Sequence, residues 1–478
     1  MSDNFKPVFY KTPIGGSLVN DPNVPQPLLR KKPLRFPDLS EVEVVRHYTY
    51  LSTLNFGVDS GFYPLGSCTM KYNPKILEKI ASLEEFSQLH PLQDNEDVQG
   101  MLEALYKINE LLCAIFGYAQ FTLQPAAGAH GEHTGLLIIK AYFLDKGQAD
   151  RNTVIIPDTA HGTNPASAAI AGFDVVKIST DEQGNINLEE LSQAVTKYKV
   201  AALMLTNPST LGLFETQIVE IADIVHKAGG LLYYDGANAN ALLGLIRPAD
   251  MGFDVCHLNL HKTFATPHGG GGPGSGPVGV KDFLVQFLPR PIVKKSDNSF
   301  SLDFSSQKSI GKVHGFYGNI AIVLRALVYI LLEGSTGLRK VSEQAIINAN
   351  YLRVGLKDLL KLPYARFCMH EFVLSAAKLK KEKGVSALDI AKRLIDFGIH
   401  PPTIYFPLIV HECLMIEPTE TESKESMDRF MQVMEQIIKE AETTPELLKS
   451  APQNRIVGRL DETKAVKQPK LTAFDIGS

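Results

Sequence analysis

A lysine beside a glycine-dense loop is the residue of this sequence with the clearest chemical potential. Lys262 lies in the segment Asn-Leu-His-Lys-Thr (259–263), shortly before the loop 269–276, which contains six glycines. At the end of an apolar strand such a lysine can be desolvated, which lowers its pKa and makes its amine a nucleophile. Because an isolated lysine is usually a surface residue, the neighbouring motifs must carry the interpretation.

Four other clusters of small and polar residues follow predicted strands, which is where open α/β folds bind ligands. They are 124–132 with Gly128 and Ala129, 158–165 with His161, 206–210 starting at Thr206, and 233–240 with Asp235 and Asn238. Taken alone, each cluster also fits a turn, a helix cap or a buried polar residue. Together they supply the parts of a pyridoxal phosphate (PLP) site: a Schiff-base lysine, a carboxylate for the pyridine nitrogen, a helix start for the phosphate and a nearby histidine.

The glycine-dense loop also matches the dinucleotide-binding pattern G-x-G-x-x-G at Gly269, Gly271 and Gly274. That pattern should follow a strand and open a helix. Here Pro273 and Pro277 interrupt the segment, and an apolar run, 278–280, follows it. The sequence therefore does not favour a nicotinamide cofactor.

The elements that would position these residues alternate between short apolar runs and helical patterns. Strands are predicted at 121–123, 154–156, 175–178, 200–205, 231–234, 255–259 and 278–280. Helices are predicted from 97 to about 116 and at 132–144, 164–171, 188–198 and 216–227. This alternation is typical of an α/β fold with a mostly parallel seven-stranded sheet covered by helices on both faces.

The chain divides into four predicted regions. Residues 1–94 are predicted to form a proline-rich, extended N-terminal arm, whose first thirty residues fit a flexible tail. Residues 95–317 form the large α/β domain. Residues 318–450 form a smaller C-terminal α+β domain, with helices at 320–332, 342–360, 387–397 and 423–443 and a strand near 371–375. Residues 451–478 are predicted to be an irregular tail.

Composition excludes several classes of protein. The 478 residues are 44% hydrophobic and 21% charged, with a net charge of −4, which is typical of a globular chain and gives no basic surface for nucleic acid. The five cysteines are far apart and lack zinc-ligand spacing, so no metal site is predicted. The start of the chain does not resemble a signal peptide, and the apolar run 320–332 is too short to cross a bilayer. We expect a soluble, cytoplasmic protein.

Several segments resemble the glycine decarboxylase P-protein family of the glycine cleavage system, and more closely the second subunit of its two-subunit form. The matching segments are PLGSCTMKYNP (64–74), AHGTNPASA (160–168), YDGANANA (234–241), HLNLHKTFATPHGGGGPGSGPVGV (257–280), HEFVLS (370–375) and IEPTETES (416–423). The likeness runs from about residue 40 to residue 430, and the segment 257–280 is too long and unusual for a chance match.

The resemblance implies a fold-type-I PLP enzyme and assigns roles to individual residues. It implies Lys262 as the Schiff-base lysine, Asp235 as the partner of the pyridine nitrogen and His161 against the ring face. Gly128 and Ala129 match the phosphate cradle, and Thr206, Asn238 and His261 complete the predicted cofactor-binding residues. PLGSCTMK is expected to approach the site. His130 and His133 stand where long-chain relatives often carry Gln and Tyr, so the phosphate contacts depart from the family pattern.

The implied activity is decarboxylation of glycine and transfer of the aminomethyl group to the lipoyl arm of a carrier protein. The implied partners are that lipoylated carrier and a first subunit of similar fold, in a heterodimer doubled to an α2β2 tetramer, with the N-terminal arm crossing the interface. Two alternatives stay open: another fold-type-I activity, such as an amino-acid decarboxylase or a cysteine desulfurase, and a non-catalytic subunit that kept the fold.

Overall fold

The computed structural model describes residues 23–29, 39–269 and 271–471. Its helices are α1 Glu41–Thr53, α2 Lys75–Ala81, α3 Glu84–Ser87, α4 Gln99–Phe116, α5 Gly128–Asp145, α6 Thr163–Ile170, α7 Leu188–Lys197, α8 Ile218–Lys227, α9 Leu260–Thr263, α10 Ile320–Leu356, α11 Ala377–Lys383, α12 Ala387–Asp396, α13 Lys424–Thr443, α14 Pro445–Lys449 and α15 Glu462–Lys467. Its strands are β1 Gln120–Thr122, β2 Thr153–Pro157, β3 Asp174–Ile178, β4 Val200–Thr206, β5 Leu231–Gly236, β6 Val255–Leu258, β7 Val278–Val280, β8 Ile292–Ser296, β9 Ser299–Asp303, β10 Phe372–Ser375, β11 Thr403–Ile404 and β12 Cys413–Ile416.

A seven-stranded sheet forms the centre of the large domain, in the order β1-β7-β6-β5-β4-β2-β3. The pairs β2–β3, β2–β4, β4–β5 and β5–β6 are parallel, whereas β7 runs antiparallel to both of its neighbours. The prediction of a mostly parallel seven-stranded sheet is therefore confirmed.

Helices pack on both faces of this sheet. Because successive strand residues point to opposite sides, each central strand contributes side chains to both cores. Tyr234 packs in the core that contains α4, and Tyr233 packs in the core that contains α5. Both tyrosines are fully buried. A strand buried on both faces must be apolar throughout, which is why continuous apolar runs in the sequence predicted these strands.

The smaller C-terminal α+β domain is built on the three-stranded antiparallel sheet β10-β12-β11. Its helices α12 and α13 bury one apolar face each, including Ile390 and Leu394 on α12 and Phe430 and Met434 on α13. The sequence predicted β10, α12 and α13 but not β11 or β12.

Two expectations about the remaining segments need correction, and a third needs different bounds. The arm contains the helices α1, α2 and α3 and is not extended throughout, although most of its predicted flexible tail lies outside the described residues. The two helices predicted at 320–332 and 342–360 are both present within α10, separated by non-helical backbone at Gly334, although the second helix begins directly after this break and ends at Leu356. The tail contains the exposed helix α15.

One helix of the described chain, α10, is long and apolar enough to cross a membrane by length and composition alone, with a mean hydropathy of 1.6. It is longer than the apolar run 320–332 because a second helical stretch follows the non-helical backbone at Gly334. Its buried residues pack in the cores of both domains, including Leu324 and Ile330 in the large domain and Leu352 and Leu356 in the small one. Of its most apolar window, 44% is buried inside the protein.

Candidate active site

A cavity of about 140 Å³ lies at the carboxyl ends of β4, β5 and β6 and is closed on one side by the first turn of α5. It brings together seven of the predicted site residues from five separate segments: Gly128, Ala129, His161, Thr206, Asp235, Asn238 and Lys262. Parallel strands place their carboxyl ends at one edge of the sheet, so residues distant in sequence meet there.

Lys262 reaches the cavity from the short helix α9, which directly follows β6. Its Nζ donates a hydrogen bond to the carbonyl oxygen of Ser67 at 2.7 Å. Ser67 belongs to the arm, so the PLGSCTMK segment does approach the lysine.

Asp235 is a fully buried carboxylate at the end of β5 and stays charged because of its partners. Its Oδ2 accepts from Asn164 Nδ2 at 2.9 Å, and its Oδ1 accepts from the Ala237 amide at 3.0 Å and lies 3.3 Å from His257 Nε2. Burial raises the pKa of Asp235, but His257, these two donors and Lys262 outweigh it and hold the pKa below its ordinary value. The cavity therefore has one stably anionic wall.

The first turn of α5 provides free backbone N–H groups at Gly128 and Ala129. A Cβ on Gly128 would lie 2.5 Å from Asn259 Oδ1, so glycine is required for this close approach. The glycine-dense loop packs directly behind this turn, because a Cβ on Gly276 would lie 2.0 Å from the Ala127 carbonyl oxygen. Close packing of this loop against the helix start accounts for the glycine at 276.

His161 is exposed at the mouth of the cavity, and contacts with neighbouring side chains orient its ring. Its Nδ1 lies 2.8 Å from Thr163 Oγ1, and that hydroxyl donates to Glu132 Oε1 at 2.7 Å. Its ring also meets the Phe406 ring edge-on, with centroids 5.3 Å apart. These contacts fix the imidazole ring.

His261 is the predicted site residue that the structure places elsewhere. Its ring lies in an adjoining cavity with Tyr63, Thr69 and His268, and its Nδ1 accepts from the Ser275 amide. On the short helix α9, His261 and Lys262 are adjacent and therefore point in different directions.

His130 and His133, which depart from the family pattern, do not line the cavity within the described residues. Nδ1 of His130 accepts from the Ala126 amide, and its ring faces His314. Burial, together with the charge of His314, lowers the pKa of His130.

Sequence reasoning missed several residues that shape the site. Glu132, Asn164, His257 and Asn259 are buried polar side chains that contact or line it, and Glu371 and Glu417 are fully buried carboxylates on the small domain. The available signal was an acidic residue at the end of an otherwise apolar strand, Glu-Phe-Val-Leu-Ser and Cys-Leu-Met-Ile-Glu.

Comparison with protein families matches residues 16–304 to the glycine cleavage system P-protein model and residues 341–457 to the glycine dehydrogenase C-terminal domain. The chain belongs to the glycine cleavage system P-protein family. Among its relatives are proteins called probable glycine dehydrogenase (decarboxylating) subunit 2 in Kosmotoga olearia and Caldanaerobacter subterraneus. The first is 58% identical, covering 94% of this chain and 92% of the relative; the second is 60% identical, covering 93% and 92%.

Solved structures of other proteins share the fold of this chain. A glycine decarboxylase (P-protein) in inhibitor-bound form superposes with a TM-score of 0.72 at 20% identity, covering 87% of this chain and 94% of that one. A cysteine desulfurase from Thermococcus onnurineus gives a TM-score of 0.61 at 14% identity, covering 80% and 95%. The fold is the type-I fold of PLP enzymes that the resemblance implied.

Proposed function

We propose that this chain is the lysine-bearing subunit of a two-subunit, PLP-dependent glycine dehydrogenase (decarboxylating). The proposed reaction releases CO₂ from glycine and transfers the remaining aminomethyl group to one sulfur of a lipoyl disulfide, whose other sulfur becomes a thiol. The observation that carries the proposal is that Lys262, Asp235 and the first turn of α5 line one small cavity. Family membership and the names of the relatives support glycine as the substrate.

The polar groups around the cavity fit PLP. Lys262 would bind its aldehyde carbon, Asp235 its pyridine nitrogen, and the Gly128 and Ala129 amides its phosphate. Within the described part of the chain, Thr206 Oγ1 and Asn238 Oδ1 are buried without a hydrogen-bond partner, which is costly unless a ligand pairs with them. When bound, PLP supplies an electron sink for the electrons released from the substrate Cα.

The chain's own residues would each have one task in this reaction. Asp235, kept ionised by His257 and Asn164, would hold a proton on the pyridine nitrogen. The Lys262 amine would exchange with the amine of glycine, and Ser67 O is the acceptor already beside it. His161, fixed through Thr163 and Glu132, would stack on the ring face and hold or move a proton.

We extend the proposal to the assembly and its location. A subunit 2 needs a subunit 1, and we propose an α2β2 complex that receives a lipoylated carrier in the cytoplasm. Helix α1 of the arm supports an interface role, since none of its described residues is buried and Val45 and Tyr48 are 56% and 55% exposed. An isolated helix with such apolar exposure is stabilised when a partner covers it.

The decisive experiment traps the cofactor. Borohydride reduction of the PLP-loaded protein, followed by peptide mass mapping, should place the tag on Lys262. The variant Lys262→Ala should lose the tag and the exchange of labelled bicarbonate into the glycine carboxyl, measured with subunit 1 and the lipoylated carrier present. Lys227→Ala, at an exposed lysine paired with Asp223, is the matched control and should keep both.

Other outcomes would contradict the proposal. A tag at another lysine, or no tag, would exclude the assigned chemistry. Activity on cysteine or a larger amino acid without any carrier would favour another fold-type-I enzyme. If size-exclusion chromatography with light scattering detects no complex of this chain with subunit 1, the proposed assembly is wrong.

A further inference from the structure

Two buried carboxylates of the small domain hold a strained loop of the arm. Ser67 and Thr69 have positive φ angles of 65° and 47°, which side-chain-bearing residues rarely adopt. The Ser67 amide donates to Glu371 Oε2 at 2.6 Å, and the Thr69 amide donates to Glu417 Oε2 at 3.0 Å. Such a conformation persists only where surrounding contacts enforce it, and these two hydrogen bonds do so.

Both carboxylates come from neighbouring positions of the small sheet. Phe372 pairs with Ile416 at one end of the antiparallel β10–β12 ladder, and Glu371 and Glu417 are the next residues beyond that pair. The loop extends the same sheet, because the Gly66 amide donates to the Met415 carbonyl and the Glu417 amide to the Pro64 carbonyl. The small sheet and the arm therefore form one unit at this point.

The loop in turn contacts the reactive lysine. Between the two held amides, the Ser67 carbonyl oxygen accepts from Lys262 Nζ at 2.7 Å. The same carboxylate that accepts from Ser67 also accepts from Asn238 Nδ2 at 3.2 Å, and Asn238 lines the cavity. Glu371 thus links the small domain, the arm and the large-domain wall of the cavity.

We propose that Glu371 and Glu417 are positioning residues that hold the Ser67 carbonyl as the acceptor for the Lys262 amine whenever that amine is not bonded to the cofactor. Fixing this acceptor keeps the amine in one place within the cavity. The proposal rests on the proposed function only in taking Lys262 as the cofactor-binding lysine.

The titratable groups that surround the two carboxylates are Lys262, Cys68, Cys368, His370, Cys413 and Glu420. His370 Nε2 lies 3.8 Å from Glu371 Oε1. Burial first, and then the charge of Glu417, raises the pKa of Glu371 well above its ordinary value, and burial raises the pKa of Glu417 to about 7. Oε1 of Glu417 has no partner among the described residues, so a proton there breaks no hydrogen bond.

The test uses the apoprotein, so it does not depend on catalysis. Glu371→Ala and Glu417→Ala remove an acceptor for a loop amide, whereas Glu417→Gln keeps one. Hydrogen exchange is measured on peptides covering 64–71, and amidination of Lys262 by methyl acetimidate is measured against pH by peptide mass. The matched control is Glu215→Ala, which truncates another buried carboxylate that accepts two backbone amides, those of Ile186 and Gln217.

Both alanine variants should speed exchange in 64–71 and raise the rate of Lys262 amidination by about three- to tenfold, since the amine loses its fixed acceptor. Glu417→Gln should stay within about twofold of wild type, and Glu215→Ala should change neither measurement. If an alanine variant does not fold, Thr403→Val replaces it, because Thr403 Oγ1 donates to the Gly66 carbonyl of the same loop at 2.7 Å. Its effect should have the same sign.

Faster loop exchange with an unchanged Lys262 profile would overturn the proposal, because the loop would then be held without positioning the lysine. Unchanged loop exchange would overturn it as well, and so would a Glu215→Ala profile equal to those of the other alanine variants. These results are separate from the proposed function. That proposal fails instead if borohydride places no tag on Lys262 in the wild-type protein.

Discussion

Asp235, Glu371 and Glu417 are buried carboxylates near Lys262, and the balance between burial and their partners sets the pKa of each. Asp235 faces His257 and two donors, and its pKa is lowered below the ordinary value although burial alone would raise it. Glu371 and Glu417 face each other, and the pKa of each is raised. Burial raises the pKa of all three; at Asp235 the positive partner and the donors outweigh it, whereas at Glu371 and Glu417 they do not.

At the residue scale, Glu417 should make the protein less stable as the pH rises. Its pKa is about 7 in the folded state against 4.5 ordinarily, so between these values the folded chain binds a proton that the unfolded chain has released. The free energy of unfolding therefore falls with rising pH across this window. In Glu417→Gln, the decrease in the free energy of unfolding between about pH 5 and pH 7.5 should be smaller than in wild type by about 1–3 kcal/mol.

Denaturant midpoints at several pH values measure this effect. Glu182→Gln, at an exposed position, is the control and should reproduce the wild-type slope. A Glu417→Gln slope equal to that of wild type would show that this carboxyl is ionised in the folded protein throughout the range.

At the element scale, continuous apolar runs made the strands of the large sheet predictable. Some residues of the site could not be predicted, because they are brought together only by tertiary contacts. β4 and β5 are buried on both faces, so their sequences leave little choice of structure. Glu371 and Glu417 could not be assigned because an acidic residue normally indicates solvent, and only the pairing of β10 with β12 brings the two together. The direction of His261 depends on the turn of α9, which four residues of sequence do not determine.

The first turn of α5 gives a prediction at the same scale. Gly128→Ala places a Cβ 2.5 Å from Asn259 Oδ1, so the buried Asn259 side chain, which lines the cavity, must shift. We expect a loss of about 1–3 kcal/mol in stability and about tenfold weaker PLP binding, which corresponds to about 1.4 kcal/mol.

The control for this prediction is Gly100→Ala, in the first turn of α4, where no atom lies within 4 Å of the added Cβ. That variant should be neutral or slightly more stable, because alanine favours helix over glycine. PLP titration by absorbance and thermal unfolding measure both variants. Equal behaviour of the two would mean that the approach to Asn259 imposes no constraint.

At the scale of the whole molecule, one buried lysine joins the arm to both domains. Lys71 Nζ donates to Glu420 Oε1 at 2.7 Å, to Asn240 Oδ1 at 2.8 Å and to the Tyr329 hydroxyl at 3.2 Å. These partners come from the small domain, the large domain and α10, which runs between the two cores. Lys71 is the last residue of the segment 64–71, and Ser67 of that segment contacts Lys262. The hydrogen bonds of Lys71 therefore fix the carboxyl end of the segment that contacts the reactive lysine.

Lys71→Met should therefore destabilise the whole protein, not only the arm. It leaves the Glu420 carboxylate, whose side chain is 8% exposed, without its cation, and breaking a buried pair in this way costs about 3–5 kcal/mol. Lys75→Met, four residues further along, removes a lysine that is 64% exposed from its pair with Asp59 and should cost less than about 1 kcal/mol. Adding Glu420→Gln to Lys71→Met should recover part of the loss, since no unpaired charge then stays buried. Thermal unfolding of the four proteins tests this, and equal midpoints for Lys71→Met and Lys75→Met would show that the three parts of the molecule are held together elsewhere.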